Sequence, residues 1–144
     1  MMGQRLLLVF CLGLIGCDVV DSTLVSGPIA GDVEADRLLN ASVVVLQQQG
    51  YAVLTADRAV GLVTTDWRDE SSFSDQVFLD RSYRTRVSVV VDGLDRALTV
   101  QMTKQVKDGD HPWRNHDLSG NDYRRAQTIL SMIQTRAAAS GVQS

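Results

Sequence analysis

Cysteine is scarce in this sequence and is confined to its first residues. The 144-residue chain has two cysteines, Cys11 and Cys17, and none after position 17. Disulfides and thiolate metal sites need several cysteines, so both are excluded from the rest of the chain. Histidine is equally rare, with two residues, which leaves few imidazoles for a metal centre.

Positive charge is also in short supply. The chain carries 14 lysines and arginines against 17 acidic residues, which gives a net charge of -3. Binding of a nucleic-acid backbone needs clustered basic side chains, so from this composition we expect no nucleic-acid partner. The hydrophobic fraction of 44% is ordinary for a globular protein, and the length is typical of one domain.

The one long hydrophobic run covers residues 6–15. It is too short to span a bilayer, because a membrane-crossing helix takes about 20 residues. The run follows Arg5 and ends at the small residue Gly16, a pattern typical of a secretory signal peptide. We therefore expect residues 1–16 to be a cleaved leader.

The end of this run, Leu14-Ile15-Gly16-Cys17, resembles the lipobox of bacterial lipoproteins. The resemblance implies cleavage before Cys17, a diacylglycerol thioether on its sulfur and a fatty acid on its new amino terminus. Two or more acyl chains anchor a protein stably to a membrane. Asp18 resembles the signal that retains such proteins in the inner membrane, although the outer membrane stays open. We expect a lipid-anchored protein of the cell envelope that faces the periplasm.

The residues after Cys17 show no sustained hydrophobic period. Ser26-Gly27-Pro28 and Gly31 are typical of turns and loops. We therefore interpret residues 17–31 as the lipidated cysteine with a flexible tether, and residues 32–144 as a single domain.

Two segments of the domain have the apolar period of a helix. The first runs from Val33 to Gln49, with Asp32 as the expected N-cap and Gly50 as the residue that ends the helix. The second runs from Asn121 to Ala138.

Four segments between these helices favour strands, namely residues 51–56, 60–67, 83–92 and 97–106. In the last two segments, apolar and polar residues alternate around a turn at Asp92-Gly93. Opposite residues of an antiparallel pair share a face, so the alternation predicts the pairs Val91–Leu98, Val89–Val100 and Val87–Met102. The resulting order, α-β-β-β-β-α, predicts an α+β fold. In this fold two helices cover one face of a four-stranded antiparallel sheet and leave the other face open.

The same order, with Gly50-Tyr51 and the segment Gly61-Leu62-Val63-Thr64-Thr65-Asp66-Trp67, resembles the family of component C of the β-barrel assembly complex. The resemblance implies a helix-grip fold and an envelope protein as partner. In the strand that contains residues 61–67, Val63, Thr65 and Trp67 would share a face. We expect Trp67 to lie in the core. We expect one such domain with a short tether here, in place of the two domains and long arm of that family, so arm-mediated docking is not carried over.

Two polar loops carry residue types that can serve catalysis or metal binding. The loop 108–117 holds His111 and His116 near Asp108, Asp110 and Asp117, but the spacing of the histidines is not that of a standard ligand pair. The other loop gathers five acidic residues without the spacing of a calcium loop, namely Asp66, Asp69, Glu70, Asp75 and Asp80. We expect no catalytic residue, no metal and no cofactor, and therefore a protein that is not an enzyme.

Three residues are candidates for partner binding. Arg84 and Arg86 alternate with the inward valines and should project from the open face, and Trp113 lies in a polar loop. Arginine and tryptophan are enriched at binding hot spots. The leading hypothesis is a protein-binding module, and Arg84 and Arg86 could also meet anionic lipid head groups. Two other hypotheses stay open: a carrier of a small or lipid ligand in a groove between sheet and helices, and a metal-dependent enzyme using the 108–117 loop.

Overall fold

The structure, a computed structural model, describes residues 22–141 and shows a mixed α+β domain. The predicted leader and Cys17 lie outside the described residues. The strands are β1 (Ser22–Pro28), β2 (Val53–Asp57), β3 (Leu62–Thr65), β4 (Arg68–Asp69), β5 (Arg81–Asp92), β6 (Ala97–Asp108) and β7 (Arg114–Asn115). The helices are α1 (Ala35–Gln48), α2 (Phe73–Phe78) and α3 (Gly120–Ala139).

All seven strands belong to one antiparallel sheet. Its main order is β1-β6-β5-β3-β2, with β4 added to β5 and β7 added to β6. The long hairpin of β5 and β6 is the centre of the sheet. Its register pairs Val91 with Leu98, Val89 with Val100 and Val87 with Met102, so the predicted register is confirmed.

The core lies between one face of the sheet and the helices α1 and α3. β5 and β6 contribute inward valines, Leu98 and Met102, while α1 and α3 contribute the apolar stripes predicted for them. The fully buried side chains with the largest volumes are Leu38, Leu46, Leu98, Met102, Ile129 and Ile133. Burial of such side chains is the main stabilising term of a small domain. The α+β class with an antiparallel sheet and helices is thereby confirmed, whereas the expected number of two helices is wrong, because α2 is a third.

The ends of α1 differ in part from the prediction. The helix begins at Ala35 with Glu34 as N-cap, so the expectation of Asp32 in that role is wrong. Glu34 makes no side-chain capping bond, and helix starts are difficult to place when no such bond marks them. Gly50 follows the helix with φ of +82°, a left-handed conformation that favours glycine, as predicted.

The prediction of a tether is wrong over residues 22–28, which form the edge strand β1. This strand pairs with β6 over its whole length, from Ser22 opposite Thr103 to Pro28 opposite Ala97. Val25 is buried against the core, and Gln134 of α3 donates a hydrogen bond to the carbonyl of Pro28. An edge strand takes its hydrogen bonds from one neighbour only, so it tolerates proline and shows little apolar alternation.

The expected count of four strands is also wrong. Besides β1, the structure adds β4 and α2 between the second and third predicted strands, and β7 after β6. β4 and β7 are two residues long, and so short a segment carries no readable period. Within residues 22–141, no helix has the length and apolar character needed to cross a bilayer.

Candidate functional site

Two arginines and two tryptophans meet on the face of the sheet that the helices leave open. Arg84 and Arg86 project from β5, Trp67 precedes β4, and Trp113 precedes β7. We call these four residues the arginine–tryptophan cluster. The three residues predicted for partner binding are therefore neighbours in the structure, and Trp67 joins them.

Arg84 is the centre of the cluster. Its guanidinium carbon lies 4.4 Å from the ring centroid of Trp67 and 4.1 Å from that of Trp113. Its Nε and Nη2 donate to the side-chain oxygen of Gln105 on β6, at 3.0 and 2.7 Å. Cation–π contacts and a forked hydrogen bond together fix the guanidinium in one orientation.

Arg86 lies beside Arg84 and is exposed to solvent. Its guanidinium carbon is 4.8 Å from the ring centroid of Trp67, and among residues 22–141 it has no ion-pair partner. Burial lowers the pKa of Arg84, the charge of Arg86 lowers it further, and Asp66 opposes the shift. Two positive charges are thus held close together at the surface.

Trp67 reaches the open face because the strand alternation is broken by one residue. Thr64 pairs with Ser88, whereas Arg68 pairs with Thr85, so β3 and β4 are offset by one residue along β5. Such a bulge turns the following side chains to the other face. The predictions that Trp67 shares a face with Val63 and Thr65, and that it lies in the core, are therefore wrong.

Trp113 is positioned by the short strand β7. Asn115 pairs with Gln105, and the Gln105 amide donates to the Asn115 side-chain oxygen at 3.3 Å. Arg114, which directly follows Trp113, donates a hydrogen bond to the Asp108 carboxylate at 2.6 Å. Gln105 therefore contacts both Arg84 and β7, the strand that directly follows Trp113, which links the two halves of the cluster.

The open face next to the cluster is largely polar. Hydroxyl and amide side chains of β1, β3, β5 and β6 face outward there: Ser26, Thr64, Ser88, Thr99 and Gln101. The hydroxyls of Ser26 and Thr99 are hydrogen-bonded at 2.8 Å. Val90 and Leu24 are exposed apolar residues on this face. A sheet face with this mixture resembles an interface for a macromolecule more than a pocket for a small molecule.

The 108–117 loop does not gather its metal-capable side chains. Asp108 accepts hydrogen bonds from Arg114 and Arg81, which lower its pKa, and the His116 ring packs 5.5 Å from the ring of Tyr83. Within the described part of the chain, no group of three or more His, Cys, Asp or Glu side chains could hold a metal ion. His111 is exposed and takes no part in a cluster with His116.

Three of the acidic residues between the second and third predicted strands, Asp69, Glu70 and Asp75, make structural contacts. Glu70 pairs with Arg125 of α3 and, at 3.3 Å, with Arg68. Asp69 accepts hydrogen bonds from Ser71, and Asp75 forms a capping box with Ser72 at the start of α2. These bonds from serine lower the pKa of both aspartates.

The space between the sheet and the helices is occupied by the core side chains. A shallow groove lies instead between α1 and α3 on their outer side, lined in part by Val45, Gln48, Met132 and Arg136. The carrier hypothesis, which needs a groove between sheet and helices, stays a prediction.

Comparison with known proteins finds solved structures that match this chain at low sequence identity. No protein-family model matches the sequence, and no curated protein matches it. A DUF4468 family protein from Bacteroides ovatus matches with a TM-score of 0.49 and 11% identity over 81% of this chain and 85% of that chain. A TBP-like protein from Parabacteroides distasonis matches with a TM-score of 0.48 and 9% identity over 81% and 92%.

Proposed function

We propose that this protein is a lipid-anchored accessory protein of the bacterial cell envelope that binds a partner protein on the open face of its sheet. The observation that carries the proposal is the contact of the Arg84 guanidinium with both indole rings on a solvent-facing surface. Arg86 extends the same surface with a second charge that has no ion-pair partner among the described residues.

The residue types and their rigidity favour protein binding. Tryptophan and arginine are the commonest hot-spot residues, and the side chains that matter most are held in place before the partner arrives. Arg84 is held by two rings and Gln105, so it loses little conformational freedom when a partner binds. A tryptophan kept half exposed at a surface adds apolar area that a partner can cover.

The charges of the cluster indicate the chemistry of the partner. A guanidinium that already stacks on aromatic rings presents its remaining edge to a carboxylate or a carbonyl. The second guanidinium, on Arg86, adds attraction for negative charge. We therefore expect the partner to bring acidic side chains, together with apolar or aromatic atoms that cover the two indoles.

The membrane part of the proposal depends on the lipobox. Lipidation of Cys17 would place the domain in the periplasm on the inner membrane, as Asp18 favours, or on the outer membrane. An envelope protein within reach of that membrane would be the partner. Involvement in outer-membrane or envelope biogenesis follows from the family resemblance and is part of the same proposal.

Site-specific photo-cross-linking in the native cell tests the binding surface. A photoreactive amino acid replaces Val90, an exposed residue on the open face, or Gln127, an exposed residue on α3. We expect a discrete cross-linked product from position 90 and none from position 127.

The cross-link should depend on the cluster. Combining the probe at position 90 with Arg86→Ala should reduce the product, whereas Arg124→Ala, which removes an exposed arginine of α3, should not. A product from position 127 alone, or a product from position 90 that Arg86→Ala leaves unchanged, would place binding elsewhere and refute the proposal.

A further inference from the structure

The short helix α2 presents an apolar surface that the domain itself does not cover. No residue of α2 is buried. Phe73, Val77, Phe78 and the adjoining Leu79 are exposed by 76%, 56%, 78% and 60%. We call these four residues the α2 ridge. Soluble domains rarely leave large apolar side chains clustered in solvent, and such clusters mark contacts with a membrane or a partner.

The residues that lead into α2 are hydrogen-bonded to β5. The capping box of Ser72 and Asp75 closes the first turn of α2. The Ser71 hydroxyl accepts from the Tyr83 amide at 2.8 Å, and the Glu70 amide donates to the Tyr83 carbonyl at 2.9 Å. A helix of six residues is not stable alone, so these bonds to β5 are what maintain it.

The α2 ridge lies at one end of the sheet. α2 leads directly into β5, whose first residue Arg81 pairs with Asp108, the last residue of β6. The Gly109 amide also donates to the carbonyl of Asp80 at 2.7 Å. The ridge is therefore at the end where β5 begins and β6 ends.

The chain enters the sheet from this same end. β1 is antiparallel to β6, and its first residue Ser22 is opposite Thr103. Five residue steps separate Thr103 from Asp108, or about 17 Å of strand. Five steps also separate Ser22 from Cys17, which allows a covalent reach of about 17 Å. A lipid on Cys17 can thus lie level with the end of the sheet that carries the ridge.

The opposite end of the sheet is farther from the lipid. Ala97 lies six residue steps from Thr103 in the other direction along β6, which is about 20 Å of strand. The hairpin turn, with Leu94, lies beyond Ala97. A lipid anchor on Cys17 therefore places the α2 ridge nearer to the bilayer than the hairpin turn.

We propose that the α2 ridge inserts into the interfacial layer of the membrane to which Cys17 is anchored. The inference rests on the lipidation of Cys17 in the proposed function. The side chains are those that partition into this layer, two phenylalanines with a valine and a leucine. The charged groups beside them are of both signs, with Asp75 and Asp80 acidic and Arg81 basic, so apolar contact drives the insertion and anionic lipid is not required.

The orientation fits the proposed binding surface. Trp113 precedes β7, which pairs with Val106 and Gln105 near the same end of the sheet. A partner on the arginine–tryptophan cluster would therefore lie close to the bilayer, which is where an integral or anchored envelope protein presents its own membrane-proximal segments.

Fluorescent labels test the insertion on the lipidated protein. Cleavage removes Cys11 and lipidation blocks Cys17, so Phe78→Cys supplies the one free thiol. The exposed Leu94 at the far end gives the matched control, Leu94→Cys. Each protein carries an environment-sensitive nitrobenzoxadiazole label and is reconstituted in phosphatidylcholine vesicles, with and without phosphatidylglycerol.

The ridge label should shift to shorter wavelength and be quenched by nitroxide-labelled lipid, at least threefold more than the label at position 94, in both kinds of vesicle. Equal and weak quenching at the two positions would overturn the proposal. A blue shift without lipid quenching would also overturn it, because it would mean that a second copy or another protein covers the ridge.

The two proposals fail separately. Intact-mass measurement shows whether Cys17 carries lipid. If it does not, the anchor in the proposed function is wrong. The same two labels are then read on protein whose residues 1–17 are replaced by a histidine tag bound to nickel-chelating lipid. Quenching at position 78 there supports insertion independently, and its absence refutes insertion.

Discussion

Lys104 of β6 lies 3.1 Å from Oδ2 of Asp122, a buried carboxylate in the first turn of α3. The same oxygen accepts hydrogen bonds from the amide and hydroxyl of Ser119, both at 2.8 Å. Asp122 therefore joins the helix cap to the central hairpin. Burial by itself raises the pKa of Asp122, but the bonds from Ser119 and the charge of Lys104 outweigh it, and the pKa is lowered.

Stability should therefore fall in acid partly through Asp122. Its folded pKa is below its unfolded value, so its contribution is complete above about pH 4 and is lost as the pH falls through the folded pKa. Asp122→Asn should lower the free energy of unfolding by about 1–3 kcal/mol at pH 7, and by progressively less toward pH 2. Urea unfolding at several pH values measures this, with the exposed Asp95→Asn as control. A deficit independent of pH would contradict the assignment.

The two faces of β5 should respond differently to a carboxylate. Val89 is fully buried against the helices, whereas Ser88 faces outward on the open side. Val89→Asp should destabilise the domain by several kcal/mol, because an unpaired charge would be buried. Ser88→Asp should change stability by less than about 1 kcal/mol. Thermal unfolding of both variants is the measurement, and equal midpoints would show that the faces are not as described.

The central hairpin was predictable because its chemistry is local and repetitive. Val87, Val89 and Val91 alternate with polar residues, and the matching alternation around Leu98 and Val100 leaves one register that buries all of them. The outward placement of Arg84 and Arg86 follows from the same alternation. The residues opposite each other in a hairpin are close in sequence, so pattern alone is sufficient there.

The rest of the site depends on contacts that local pattern does not contain. The bulge that turns Trp67 outward is one residue long and has no signature in the sequence. The contact of Trp113 with Arg84 depends on β7, which is two residues long. β1 has no local sequence signal, because its partner β6 is about 75 residues away and supplies all its ladder bonds. Contacts of this kind are set by tertiary packing, which overrides local preference.

Gly61 should not tolerate a side chain. Its φ is +67°, and a Cβ there would overlap the carbonyl oxygen of Val91 in the neighbouring strand. Gly61→Ala should therefore destabilise the domain by at least about 1–2 kcal/mol, through left-handed strain and the clash. Gly93→Ala is the control, since a Cβ at Gly93 would meet nothing within 4 Å. Chemical denaturation compares the two, and a Gly61→Ala variant as stable as the control would contradict the packing.

Cys17→Ser should release the protein from the membrane without unfolding it. The substitution removes the thiol that would carry the lipid, and Cys17 precedes the first residue of β1. Fractionation of cells and the intact mass of the purified protein measure the effect, and circular dichroism of the soluble variant checks the fold. If the wild-type protein carries no lipid and the variant still sediments with membranes, the anchor is disproved.

The two tryptophans of the cluster should matter for binding far more than for folding. Trp67 and Trp113 are half exposed, and each contacts Arg84 through a cation–π interaction worth about 0.5–1 kcal/mol at an exposed site. Trp67→Ala and Trp113→Ala should therefore shift the free energy of unfolding by no more than about 1 kcal/mol. A hot-spot aromatic typically contributes about 2 kcal/mol or more to binding, so the yield of the cross-linked partner should fall strongly.

Tyr123→Ala, which removes an exposed aromatic from α3, is the matched control and should bind like the wild type. Unfolding of either tryptophan variant would make that residue structural, and undiminished retention of the partner by both would remove the cluster from the binding surface.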